Sequence, residues 1–152
     1  MNGLLAELGG WISFESWKIG SAAFEKSPLQ NNTLSLQWIL AWLLSPLAWL
    51  MGIPVSEVGL AASLLGEKTI LNEFVAYVNL SEVMSHLSDR TVVILSYALC
   101  GFANFSSIGI QIGGLSALAP ERRKDLAQLG VRALIAGSLA AFSTATIAGL
   151  LT

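Results

Sequence analysis

The stretch GFANFSSIGIQIGG, residues 101–114, lies inside a run from Thr91 to Ala119 that contains no charged residue. Its flanks read as lipid-facing helix, yet it carries Asn104, Ser106, Ser107 and Gln111, with glycines at 101, 109, 113 and 114. The charge-free run is longer than the roughly 20 residues that one straight span needs. Polar groups and glycines together predict a helix broken within the membrane. Gly101 and Gly109 bracket the segment where the backbone unwinds. Asn104 and Ser107, three residues apart, are then expected on one helix face.

The composition agrees with a membrane chain. Of the 152 residues, 54% are hydrophobic and 12% charged, where a soluble domain carries roughly a quarter charged residues. A net charge of −2 supplies no electrostatic case for nucleic acid. The single cysteine, Cys100, excludes an internal disulfide and reads as core filler in an apolar segment. The opening MNGLLAELGGWISFESWK places Glu7 and Glu15 where a secretory signal needs basic residues, so no such signal is expected.

Working outward from the broken helix, residues 1–12 read as the end of an apolar helix that begins too abruptly, which predicts a segment upstream, and residues 13–33 as a polar connection. No charge occurs from Leu29 to Ser56, where Trp38, Trp42 and Trp49 fall near one face. That pattern predicts a helix lying partly in the interface and broken by Pro46. Two half-length apolar segments follow, VSEVGLAASLL and TILNEFVAYVNL, separated by Gly66, Glu67 and Lys68. Each is too short to span, and together they predict a re-entrant helical hairpin over about 55–80. The broken helix then covers about 90–119 and a closing helix, rich in Gly and Ala, about 125–152. The fold class is therefore an all-α membrane protein. Arg122, Arg123 and Lys124 form the one basic cluster. By the positive-inside rule the loop 120–125 is cytoplasmic and the C-terminus outside.

Glu73 is the residue with the strongest chemical implication. A carboxylate in a short apolar segment costs roughly 2.5–3.5 kcal/mol on insertion scales unless it faces a cavity or a partner. It marks a substrate or ion path, or else points to water from an interfacial hairpin. Asn72 beside it either ends a half-helix or donates to a ligand. Asn104 and Ser107 with Glu73 offer an amide, a hydroxyl and a charged acceptor, which match a polyhydroxylated ligand such as a sugar. The competing reading is that Asn104 and the serines bond neighbouring helices. His86, in the polar linker SHLSDR, reads as solvated, and Glu67 and Lys68 as a solvated turn. No Ser/His/Asp set, Gly-rich phosphate loop or metal-ligand cluster occurs in the sequence, so the residues give no support to an enzyme, a catalytic residue or a bound metal.

The run GEKTILNEFVAY, Gly66 to Tyr77, resembles the G-x-K-x-x-x-N-E-F-V-A-Y signature of the concentrative nucleoside transporter family. CGFANFSSIGIQIGGLSALAPERR and SPLAWLMGIP resemble further blocks of that family, and together they cover most of residues 34–152. The resemblance implies a nucleoside carrier coupled to Na+ or H+ in the plasma membrane, the inner membrane of a bacterium. It implies multi-pass topology, a homotrimer in the complete member and no bound cofactor. Residues 34–152 would be its C-terminal domain and residues 1–33 the end of a scaffold helix with its connection. By the same resemblance Glu73 serves the ribose hydroxyls, as do Asn104 and Ser107, and Phe102 lines the site. The hairpin and broken helices would move as one body past a fixed scaffold, and Lys68 is a signature position of unassigned role.

Members of that family also carry an earlier half with a Gly-Gln-Thr-Glu hairpin for the base and a broken helix for the cation. Neither motif occurs in this sequence, and Val55 stands where the family usually has Trp. The chain is thus expected to supply the ribose half of a site. The alternative is a truncated, non-transporting membrane polypeptide that is inert or associates with another membrane chain.

Overall fold

The computed structural model describes the backbone of residues 36–152. The scaffold-helix end and polar connection expected over 1–33 lie outside the described residues. Six α-helices run in the described part: α1 Leu36–Leu50, α2 Val55–Ile70, α3 Glu73–Val83, α4 Asp89–Leu99, α5 Phe105–Leu118 and α6 Arg123–Leu150. Short 3-10 turns at Met84–His86 and Pro120–Arg122 join α3 to α4 and α5 to α6. No strand occurs among the described residues.

Helix α1 corrects one expectation. It continues through Pro46 rather than breaking there. Proline withdraws one backbone donor and so weakens a helix, but α1 packs against α2, and its small residues Ala41, Ser45 and Ala48 are buried. The Ser45 hydroxyl donates to the Ala41 carbonyl at 2.7 Å, and Trp42 and Trp49 point outward. The helix ends where Gly52 takes φ 95°, a conformation that costs glycine nothing. Pro54 then leads into α2.

Helices α2 and α3 form the pair of short helices expected for the hairpin, with the turn in a different place. Gly66, Glu67 and Lys68 do not interrupt the first segment. They lie inside α2, which runs on to Ile70, and the chain turns at Leu71 and Asn72. Helix α3 likewise extends into the supposed linker as far as Val83. His86 is exposed on the following 3-10 turn.

The break after α4 is shorter than the glycine pattern implied. It occupies residues 100–104, with Gly101 at φ 139°, while Gly109 is an ordinary helical residue of α5. One positive-φ glycine suffices to redirect the chain. Cys100 is exposed at the break rather than buried as filler. Neither α4 nor α5 is long enough to cross a bilayer. Among the described residues, Pro120–Leu150 is the one helix long and apolar enough to do so.

The core gathers where α1, α2, α4 and α6 meet, around Ala61, Leu65, Ile94, Leu95, Leu99 and Phe142. Small residues set its spacing. A Cβ built on Gly149 of α6 would come 2.6 Å from Ile94 Cγ1, and one on Gly130 would come 2.8 Å from Ile108 Cγ2. Polar contacts secure the far end. The Glu57 carboxylate at the start of α2 accepts from the Ser88 N–H at 3.2 Å and the Ser88 hydroxyl at 3.0 Å. Ser88 is also the N-cap of α4.

A valine at Gly149 has no room beside the fully buried Ile94. Gly149→Val is expected to destabilise the purified protein by roughly 1–3 kcal/mol, read as a lower melting temperature in detergent. Gly109→Ala, with nothing within 4 Å of the added atom, should melt no lower than the unaltered protein.

Candidate functional site

Every helix leaves its first N–H groups and last carbonyls without intrahelical partners. The first turns of α3 and α5 therefore need acceptors. Both receive an asparagine. Asn72 caps α3, its side-chain oxygen accepting the Val75 N–H at 3.0 Å. Asn104 caps α5 in the same way, accepting from the Ser107 N–H at 2.7 Å. Asn104 is therefore not a residue on the face of a helix, as its spacing from Ser107 had implied. The interval of three between them is that of a cap and the amide it satisfies.

The two helix starts meet across Glu73. As the first residue of α3, Glu73 sits at the positive end of that helix's dipole, where a carboxylate is favoured. The Asn104 amide donates to Glu73 Oε2 at 3.0 Å. Asn104 is only 1% exposed, so its oxygen and its nitrogen are both committed, one to its own helix and one to Glu73. This leaves Glu73 Oε1 and the Ser107 hydroxyl without a hydrogen-bond partner among the described residues. Phe102, in the break itself, is 75% exposed.

A cleft of about 390 Å³ runs beside this pair between α5 and α6. Its walls include Phe102, Asn104, Ser107 and Gln111 on one side and Leu129, Gly130 and Leu134 on the other. Glu73 and Asn72 do not line it. The structure thus brings Glu73 and Asn104 into contact, sets Ser107 one turn beyond and leaves Phe102 open at the mouth of the break. Asn72 shapes the start of α3 from its cap position.

Two residues that the sequence reading had set aside or left without a role belong to the same assembly. Lys68, expected in a solvated turn, is 1% exposed, and its Nζ donates to the Ala98 carbonyl at 2.9 Å. The Tyr77 hydroxyl donates to the Ser96 carbonyl at 2.5 Å. Ala98 and Ser96 belong to the last turn of α4, whose carbonyls lose their helical partners where the chain unwinds. Glu67 is also engaged, accepting from the Asn79 amide at 2.7 Å. The available signal was the apolar setting of Lys68, which demands a partner as much as that of Glu73 does. Placing the hairpin turn at Gly66 concealed it.

The family model described as Na+ dependent nucleoside transporter C-terminus matches residues 1–149. The chain belongs to that family. A solute carrier family 28 member 3 of Eptatretus stoutii is 50% identical over 132 residues, covering 77% of this chain and 19% of that protein. The nucleoside permease NupC of Helicobacter pylori is 45% identical over 122 residues, covering 77% of this chain and 29% of its own length. Among solved structures, CNTnw in an inward-facing substrate-bound state is similar with a TM-score of 0.73 and 46% identity, over 98% of this chain and 33% of that one. The chain therefore spans about a third or less of the length of these relatives. Members of the family are membrane transporters, and the relatives are named as carriers and permeases rather than as enzymes.

Asn104→Ala removes both the cap of α5 and the partner of Glu73, with an expected cost of at least roughly 1 kcal/mol from the cap alone. Asn104→Asp keeps the cap but sets two carboxylates together. Thermal melting in detergent at neutral pH should place both variants below the unaltered protein.

Proposed function

We propose that this chain is the ribose-binding C-terminal part of a cation-coupled nucleoside transporter. The observation that carries the reading is the meeting of two helix N-termini on Glu73, with one carboxylate oxygen and the Ser107 hydroxyl left over. A ribose presents vicinal hydroxyls, each able to donate and accept. Glu73 Oε1 would accept from them, Ser107 would accept or donate, and Asn104 would hold the carboxylate in place. Phe102, exposed beside them, offers an apolar face to the sugar or base. The base and coupling-ion contacts would come from the remainder of the transporter, since this chain spans 33% of the substrate-bound structure it matches.

The polar links support a moving body made of the hairpin and broken helix. Glu57 to Ser88, Lys68 to Ala98, Tyr77 to Ser96 and Glu73 to Asn104 tie α2 and α3 to α4 and to the start of α5. The proposed coupling ion is Na+, on the family's description. The proposed setting is the plasma membrane, the inner membrane if the source is bacterial, with the loop bearing Arg122, Arg123 and Lys124 on the cytoplasmic side and the complete protein a homotrimer.

Uptake of uridine into vesicles bearing the complete transporter should require Na+ and fall by at least roughly 100-fold in kcat/KM for Glu73→Gln, the scale expected when a buried polar group loses a charged hydrogen bond. Uridine lacking its 2′ and 3′ hydroxyls should be rejected by the unaltered protein to a similar degree. Undiminished uptake by Glu73→Gln would sink the assignment. A non-transporting polypeptide predicts no uptake from the outset, and a proton-coupled carrier predicts uptake driven by a pH gradient without Na+.

A further inference from the structure

Helix α5 is a short apolar helix, yet it carries four polar side chains, Ser106, Ser107, Gln111 and Ser116. Of these, Ser107 and Gln111 line the cleft beside α6. They are four residues apart and so share one face, with a rise between them of about 6 Å. Helix α6 lies against the adjoining row of α5, where a Cβ on Gly130 would come 2.8 Å from Ile108 Cγ2 and 3.5 Å from Ile112 Cδ1. The polar row thus borders the apolar contact between the helices.

Neither the Gln111 amide nor the Ser107 hydroxyl has a hydrogen-bond partner among the described residues. A polar side chain in an apolar membrane helix is costly unless it faces a cavity or a partner. Gln111 faces a cavity, the same one that Phe102 and Asn104 line. Its amide brings two donors and an acceptor, and nothing in the reading of Glu73, Asn104 and Ser107 uses them.

This inference rests on the nucleoside reading above, with the ribose diol at Glu73 and Ser107 and the base toward Phe102. A nucleoside carries its groups in a fixed order, the base on C1′, hydroxyls on C2′ and C3′ and a hydroxymethyl on C4′. The cleft presents partners in the same order, Phe102, Ser107 and Gln111. Base and hydroxymethyl leave the sugar ring at opposite ends, so a base held at the break sends C5′ away from it along α5.

We propose that Gln111 is a specificity-determining residue that binds the 5′-hydroxyl of the nucleoside. That hydroxyl donates and accepts, and the amide offers the complement of both. The apolar side chains of α6 in the same cleft, Leu129 among them, cover the adjoining methylene.

The test measures uptake of uridine, 5′-deoxyuridine and 2′,3′-dideoxyuridine into vesicles bearing the complete transporter. Gln111→Leu should lower kcat/KM for uridine by about three- to tenfold, the scale of one neutral hydrogen bond, and leave that for 5′-deoxyuridine unchanged. Gln111→Met, unbranched like glutamine, should do the same. Both variants should still reject 2′,3′-dideoxyuridine as strongly as the unaltered protein does. Gln111 is exposed, so neither change is expected to lower melting in detergent. Should one do so, the ratio between two substrates on the same protein still decides.

Equal losses for uridine and 5′-deoxyuridine would assign Gln111 to packing or to another part of the transporter and overturn the proposal. Undiminished uridine uptake in both variants would overturn it as well, with the nucleoside reading left standing. Absence of uridine uptake in the unaltered protein would remove the nucleoside reading and this inference with it.

Discussion

A helix that stops at membrane depth leaves backbone amides or carbonyls with no water to take them, and each costs several kcal/mol if unpaired. This chain stops helices within its fold repeatedly, at the ends of α2 and α4 and the starts of α3 and α5. The polar side chains near these ends answer that constraint. Asn72 and Asn104 accept from the exposed amides, while Lys68 and Tyr77 donate to the exposed carbonyls.

The GEKTILNEFVAY signature thus has a physical reading. Its Lys and Tyr close the end of one half-helix, its Asn opens another, and its Glu is the acceptor shared with the asparagine that opens a third. The proposed ribose contact and the structural bonds fall on the same residues. A carboxylate set among helix N-termini is stabilised by them and is also placed where a hydroxylated ligand can reach its remaining oxygen. An irregular backbone at membrane depth costs so much that it is retained only where it is buried in protein or lines a water-filled cavity.

Much of this was legible in the residues. The break after α4, the pair of short helices and the closing span follow from charge-free runs, their lengths and the few polar residues within them, which also single out Glu73, Asn104 and Ser107 as groups in need of partners. The differences share one cause. Local propensity penalises Pro46, Gly66 and Gly109 as helix positions and so predicts that a helix yields there. Packing outweighed that penalty at Pro46 and Gly66, where α1 and α2 lie together and their small residues are buried. Gly109 has open space beside it, and the chain had already turned at Gly101.

The sequence by itself determined which segments are helical, which can cross lipid, and that a handful of polar residues must find partners inside an apolar body. Those are local properties, set by periodicity, hydropathy and the cost of desolvating a charge. Only the tertiary structure decided who those partners are. Lys68 meets a carbonyl thirty residues away, and Glu73 an amide thirty-one residues away. The contact of α2 and α3 with α4 and α5 selects those pairs, because a capping bond forms only over about 3 Å and no spacing along the chain encodes such a distance between separate helices.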